Sequence, residues 1–116
     1  MTDFAERFED LRIWQQARQL ANAVYETLDD SRDYGFRDQI QRASVSAMNN
    51  IAEGFERRTS REFGHFLDIA KGSCGEVRSM LYLAEDRKYI KPEVAAQLRG
   101  NAVTLSSGIA AFRRRI

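Results

Sequence analysis

The chain has 116 residues and a mass of 13.3 kDa, the length of one domain; 43 % hydrophobic and 30 % charged residues, with one proline and seven glycines, argue against a disordered chain. A formal net charge of +1 gives no support to a strongly basic nucleic-acid-coating class, yet the charge is uneven: residues 1–33 hold eight acids against four arginines, and residues 34–116 hold fourteen bases against nine acids. The first twenty residues alternate acids with arginines, so neither a secretory segment nor a membrane span is expected, and the single cysteine, Cys74, agrees with a reducing, cytoplasmic setting.

Apolar residues at three- and four-residue steps predict four helices. The first runs from about Glu9 to Leu28, with Trp14, Ala17, Ala21, Val24 and Leu28 along one seam. The second runs from about Phe36 to Arg57 and places Ile40, Ala43, Ala47 and Ile51 on a stripe of small and branched side chains, which lets a partner come close. Two adjacent asparagines and a Glu-Gly pair sit in it, although Asn and Gly both weaken helices, Gly by about 1 kcal/mol against Ala. The third, Ser60 to Asp86, has the clearest repeat: Phe63, Leu67, Ala70, Cys74, Val77, Leu81 and Ala84. The fourth, Pro92 to Phe112, lines up Val94, Leu98, Ala102, Leu105, Ile109 and Phe112.

Thr59 followed by Glu62 reads as a capping box, and Pro92 suits a first helical turn. The connectors are too short for elements of their own, and no strand pattern is visible. Residues 1–116 are therefore expected to form a single all-α domain, an up-down-up-down antiparallel four-helix bundle with a left-handed twist.

Chemistry that a bundle can carry finds little support in this sequence. Glu62 and His65 form one Glu-x-x-His pair, but a di-metal carboxylate site needs two such pairs and two further carboxylates, and His65 is the only histidine. Cys74 falls on the apolar stripe, where a thiol behaves as a small hydrophobe with a raised pKa. Gly72 to Gly75, GSCG, lies inside a helical pattern and is read as permitting close packing. No metal, no cofactor and no enzymatic activity are expected.

Arg42, Ser46, Asn49, Asn50 and Glu53 fall along one side of the second helix as a polar seam. A turn near Arg58 brings Arg42 towards Glu76 and Ser46 towards Lys71 to Ser73, which predicts an Arg42–Glu76 ion pair. Such a seam is either satisfied across the two helices or meets another chain, because an unpaired buried polar group costs about 1–3 kcal/mol.

These residues carry a resemblance. Gln39, Ile40, Arg42, Ala43, Ser46, then Asn50 to Gly54 (NIAEG), then Phe63, Phe66, Leu67, Ala70, Gly72, Ser73 and Glu76 resemble the signature of the four-helix-bundle proteins encoded in 23S ribosomal RNA intervening sequences. Leu11, Trp14 and Ala17 resemble that family's first helix, while Met48 stands near where many members have proline. The resemblance implies the bundle and a ring-shaped homopentamer, and no established activity. It is also similar in fold to the accessory variability proteins of diversity-generating retroelements, which work with a reverse transcriptase and nucleic acid.

Two surface features bear on partners. Phe66, Ile69, Met80 and Leu83 form a second apolar row on the third helix, read either as broad packing within the bundle or as a contact between copies. The bundle topology gathers Arg57, Arg58, Arg61, Arg113, Arg114 and Arg115 at one end, where they suit RNA or DNA phosphates. Asp3, Glu6, Glu9 and Asp10 enter from the same end, so the alternative is a paired, solvated surface; Phe4, Phe8 and Phe55 are read as stacking faces or as core. The two functional expectations are nucleic-acid binding by an oligomer and a protein-interaction scaffold.

Overall fold

A computed structural model describes residues 5–116; Asp3 and Phe4, given roles above, lie outside the described residues. A single 3-10 turn, Phe8–Asp10, precedes α1 (Arg12–Leu28), α2 (Tyr34–Phe55), α3 (Ser60–Asp86) and α4 (Pro92–Arg115). The helices form an antiparallel four-helix bundle of 45 × 23 × 19 Å in which α1–α2, α2–α3, α3–α4 and α4–α1 are neighbours. Packing is most extensive between α2 and α3 and lightest between α1 and α4.

The bounds of α3 agree with the sequence pattern, and those of the other helices shift for identifiable reasons. The first helix was expected from Glu9, but Leu11 is extended (φ −74°, ψ 129°) and separates the 3-10 turn from α1. Leu11 stands two residues, about 200° of helical rotation, from the buried Ile13, so a continuous helix would turn it towards water. The extended backbone buries both. Trp14, assigned to the seam, lies half-buried at its flank against Phe8, with ring centroids 5.2 Å apart, and Ile13 takes the central place.

α2 begins at Tyr34 because Asp33 caps it: the Asp33 Oδ1 accepts from the Phe36 N–H at 3.2 Å. Thr59 does the same for α3, its Oγ1 accepting from the Glu62 N–H at 3.1 Å. α3 closes with a left-handed residue, Lys88 (φ 63°), whose N–H bonds the Glu85 carbonyl while the Tyr89 N–H bonds that of Ala84. This is a Schellman ending built on a lysine. Pro92 opens α4, which runs three residues past Phe112 to Arg115.

Most of the expected stripe residues form the core: Ile40, Ala47 and Ile51 of α2 meet Leu67, Ala70, Val77 and Leu81 of α3, all fully buried, whereas Phe63, Val94 and Phe112 are half-buried against it and Ala95 takes the buried place beside Val94. At Gly54 the two helices come too close for a side chain. A Cβ there would sit 2.8 Å from the Phe66 Cβ and 2.9 Å from the Phe63 Cδ1. The glycine costs helix propensity and permits the tight α2–α3 turn. Gly72 and Gly75 differ from expectation: they are exposed, and nothing in the chain comes within 4 Å of where their Cβ atoms would lie. They do not serve packing inside the bundle.

Candidate functional site

The polar seam forms only in part. The Ser46 and Ser73 hydroxyls meet across α2 and α3 at 2.9 Å, and the Asn50 amide donates to the Ser46 carbonyl at 2.8 Å and to its Oγ at 3.0 Å. Asn50 therefore spends its amide locally and places Ser46 against Ser73, which fixes the register of the two helices. The expected Arg42–Glu76 ion pair does not form: Glu76 Oε2 accepts from Gln39 Nε2 at 3.2 Å, one helical turn earlier, and Arg42 is exposed. Glu53 pairs with Arg57 at 2.9 Å on the surface of α2, and Asn49 faces outward. No buried side-chain nitrogen or oxygen among the described residues lacks a partner.

The six arginines do occupy one end of the bundle, in different states. Arg57 is held twice, by Glu53 and over the Phe66 ring at 4.7 Å. Arg113 is docked as well: its guanidinium lies where a Gly64 Cβ would be and its Nε reaches Asp68 Oδ1 at 3.4 Å, tying the last turn of α4 to α3. Arg115 sits over Phe112 at 5.9 Å. Arg58, Arg61 and Arg114 are exposed and make no ion pair among the described residues. Of the acids entering here, Asp10 pairs with Arg7 at 3.6 Å. Phe55, Phe63 and Phe112 form an aromatic run beneath this end, with centroid separations of 6.0 and 5.5 Å; all three pack against the core.

The second apolar row on α3 splits. Phe66 and Met80 are half-buried, Met80 against the core, whereas Ile69 is 40 % and Leu83 48 % exposed. Ile69, Gly72 and Leu83 share the outer face of α3. Cys74 is buried on the stripe, and burial pushes its thiol up to about 11 against a smaller opposing pull from Lys71. Glu62 and His65 are exposed, and no group of three or more His, Cys, Asp or Glu residues suited to a metal ion occurs among the described residues. No helix of the described residues is long and apolar enough to cross a membrane.

Three contacts that the sequence reading missed secure the opposite end. Tyr89 Oη donates to Asp33 Oδ2 at 2.6 Å, joining the α3–α4 connector to the α1–α2 connector across 56 residues. The Tyr89 bond, then the Phe36 N–H, hold the Asp33 carboxyl below its ordinary range. Gln41, buried, donates to Asp29 at 3.2 Å, and Arg99 pairs with Glu85 at 2.8 Å while lying 4.2 Å from the Tyr82 ring centre. Nothing periodic marks these residues, so no sequence signal pairs them.

The fold has a solved counterpart: a crystal structure of a protein of unknown function from the S23 ribosomal protein family of Bacteroides thetaiotaomicron superposes with a TM-score of 0.82 at 19 % identity, covering 87 % of this chain and 97 % of that one. None of the curated proteins matches. The model of the 23S rRNA-intervening sequence protein family matches residues 9–111, nearly the whole bundle, and the chain belongs to that family.

Proposed function

We propose that this protein is a non-catalytic homo-oligomer, a pentamer on the family resemblance, that binds nucleic-acid phosphates through its arginine-bearing end in the cytoplasm. The observation that carries the reading is the state of Arg58, Arg61 and Arg114: three exposed guanidinium groups at one end, without a carboxylate partner among the described residues. A closed assembly repeats that set in every copy and multiplies its field. The exposed Ile69 and Leu83 on α3 support the contact between copies. No base preference follows from arginines that meet phosphate.

Anisotropy of a labelled oligothymidylate and of an RNA of equal length, measured against salt, tests the reading. Affinity should fall linearly on logarithmic axes, and replacing Arg58, Arg61 and Arg114 by Ala should reduce the slope by about 2 per protomer engaged. Absence of binding at low salt, or an unchanged slope in the triple variant, overturns it. A second reading, a scaffold that docks another protein, is favoured by the engagement of Arg57 and Arg113 with Glu53 and Asp68, which withdraws two of the six arginines from phosphate.

A further inference from the structure

The light α1–α4 seam opens, at the arginine-bearing end, into a cleft of about 760 Å³. Such a volume lies inside the range of roughly 300–1,000 Å³ common for small-molecule sites. Below it the seam is tight, because a Cβ on Gly108 would stand 3.3 Å from the Ile13 Cγ2. Its lining combines an apolar part, Ile13 and Phe112, with the carboxylates of Glu6 and Asp10 and the guanidinium groups of Arg12 and Arg115, the latter 5.9 Å from the Phe112 ring centre and engaged there. Phe112 is backed by Phe63 at 5.5 Å, so its position is set by the bundle. Glu6 and Arg12 make no ion pair among the described residues, although both border the same cleft.

An apolar wall, one carboxylate without an ion-pair partner, Glu6, and one such cation, Arg12, in one cleft suit a ligand with a planar body, a donor edge and an anion, while Asp10 is engaged by Arg7. We infer that the cleft binds a guanine nucleotide. The guanine N1–H and N2–H₂ groups are adjacent donors that one carboxylate, Glu6, can accept together, whereas adenine places an acceptor at N1 that a carboxylate repels. Arg12 takes the phosphate, and the ring lies on the apolar wall. This goes beyond phosphate binding by Arg58, Arg61 and Arg114, because it names a base and a second set of residues.

Calorimetric titration of the full chain with GMP and with AMP tests it. GMP should bind with a dissociation constant below about 1 mM, and AMP about tenfold more weakly, as expected for one bidentate base contact. Glu6→Gln, a near-isosteric change on an exposed residue, should remove that preference. Thr104→Trp, at the exposed edge of the cleft, should abolish GMP binding with an unchanged melting temperature. Equal affinities for GMP and AMP, or GMP binding unaffected by either change, overturn the inference. An oligonucleotide ending in guanosine that binds more tightly than GMP assigns the site to a strand terminus, and equal affinity assigns it to the free nucleotide. Oligothymidylate, which lacks guanine, separates the two proposals: its salt-sensitive binding without GMP binding overturns the cleft assignment alone, and the reverse result overturns the phosphate reading alone.

Discussion

Among the described residues, Lys88 is the one whose backbone the fold strains. With φ at 63° it stands in the left-handed region that costs a side-chain-bearing residue roughly 1–2 kcal/mol, and it does so to let the Lys88 and Tyr89 N–H groups close the end of α3. Lys88→Gly should therefore stabilise the protein by about 1 kcal/mol, read as a melting-temperature rise of about 4 °C. An unchanged or lower midpoint would mean that the lysine side chain contributes more than the backbone loses. Gly54 is the opposite case, a glycine with φ in the ordinary helical region that is needed for space, since Phe66 and Phe63 occupy the volume of a Cβ. In the sequence Gly54 stands out as a glycine inside a helical pattern, though not the phenylalanines that require it, whereas Lys88 gives no signal, because what decides it is the path of the chain after α3 ends, which no periodicity records.

At the scale of elements, the helical stripes were legible because burial on one side of a 3.6-residue repeat leaves a regular imprint: Ile40, Ala43, Ala47 and Ile51, and Leu67 to Ala84, are buried as the spacing predicts. The contacts that lock helix ends were not legible, since Asp33 and Tyr89 meet through two connectors with no shared period. Their bond makes a pH prediction with a definite sign. The Asp33 carboxyl is held below its ordinary value of 3.8, so the bond adds stability above that value and loses it as the pH falls through the lowered one. Tyr89→Phe removes the largest cause of the lowering. In urea unfolding, the gap between wild type and this variant should be widest near about pH 7 and shrink towards about pH 3. A gap that stays constant over that interval would mean that the hydroxyl acts without reference to the charge on Asp33.

For the whole molecule, the outer face of α3 poses a problem that the single chain does not solve. An exposed glycine inside a helix costs about 1 kcal/mol relative to alanine, and this face carries Gly72 and Gly75 with empty space around them. Contacts within the bundle give no reason for either. The same face exposes Ile69 and Leu83, and its neighbour across the α2–α3 groove is the Ser46–Ser73 pair. Under the proposed self-association, the glycines let the backbone of another copy come close, and their cost is offset only in the assembled state. Gly72→Ala then has two opposed consequences. At high dilution, where copies are separate, it should raise the melting temperature, because the helix gains propensity and the methyl group meets nothing. At higher concentration it should weaken association, because the methyl group holds the neighbouring backbone away, and sedimentation velocity should show dissociation beginning at a higher concentration than in wild type. A variant that melts higher and sediments like wild type at every concentration would remove Gly72 from the contact between copies. The oligomer interface would then have to be sought at the exposed Val103 of α4 or Tyr25 of α1.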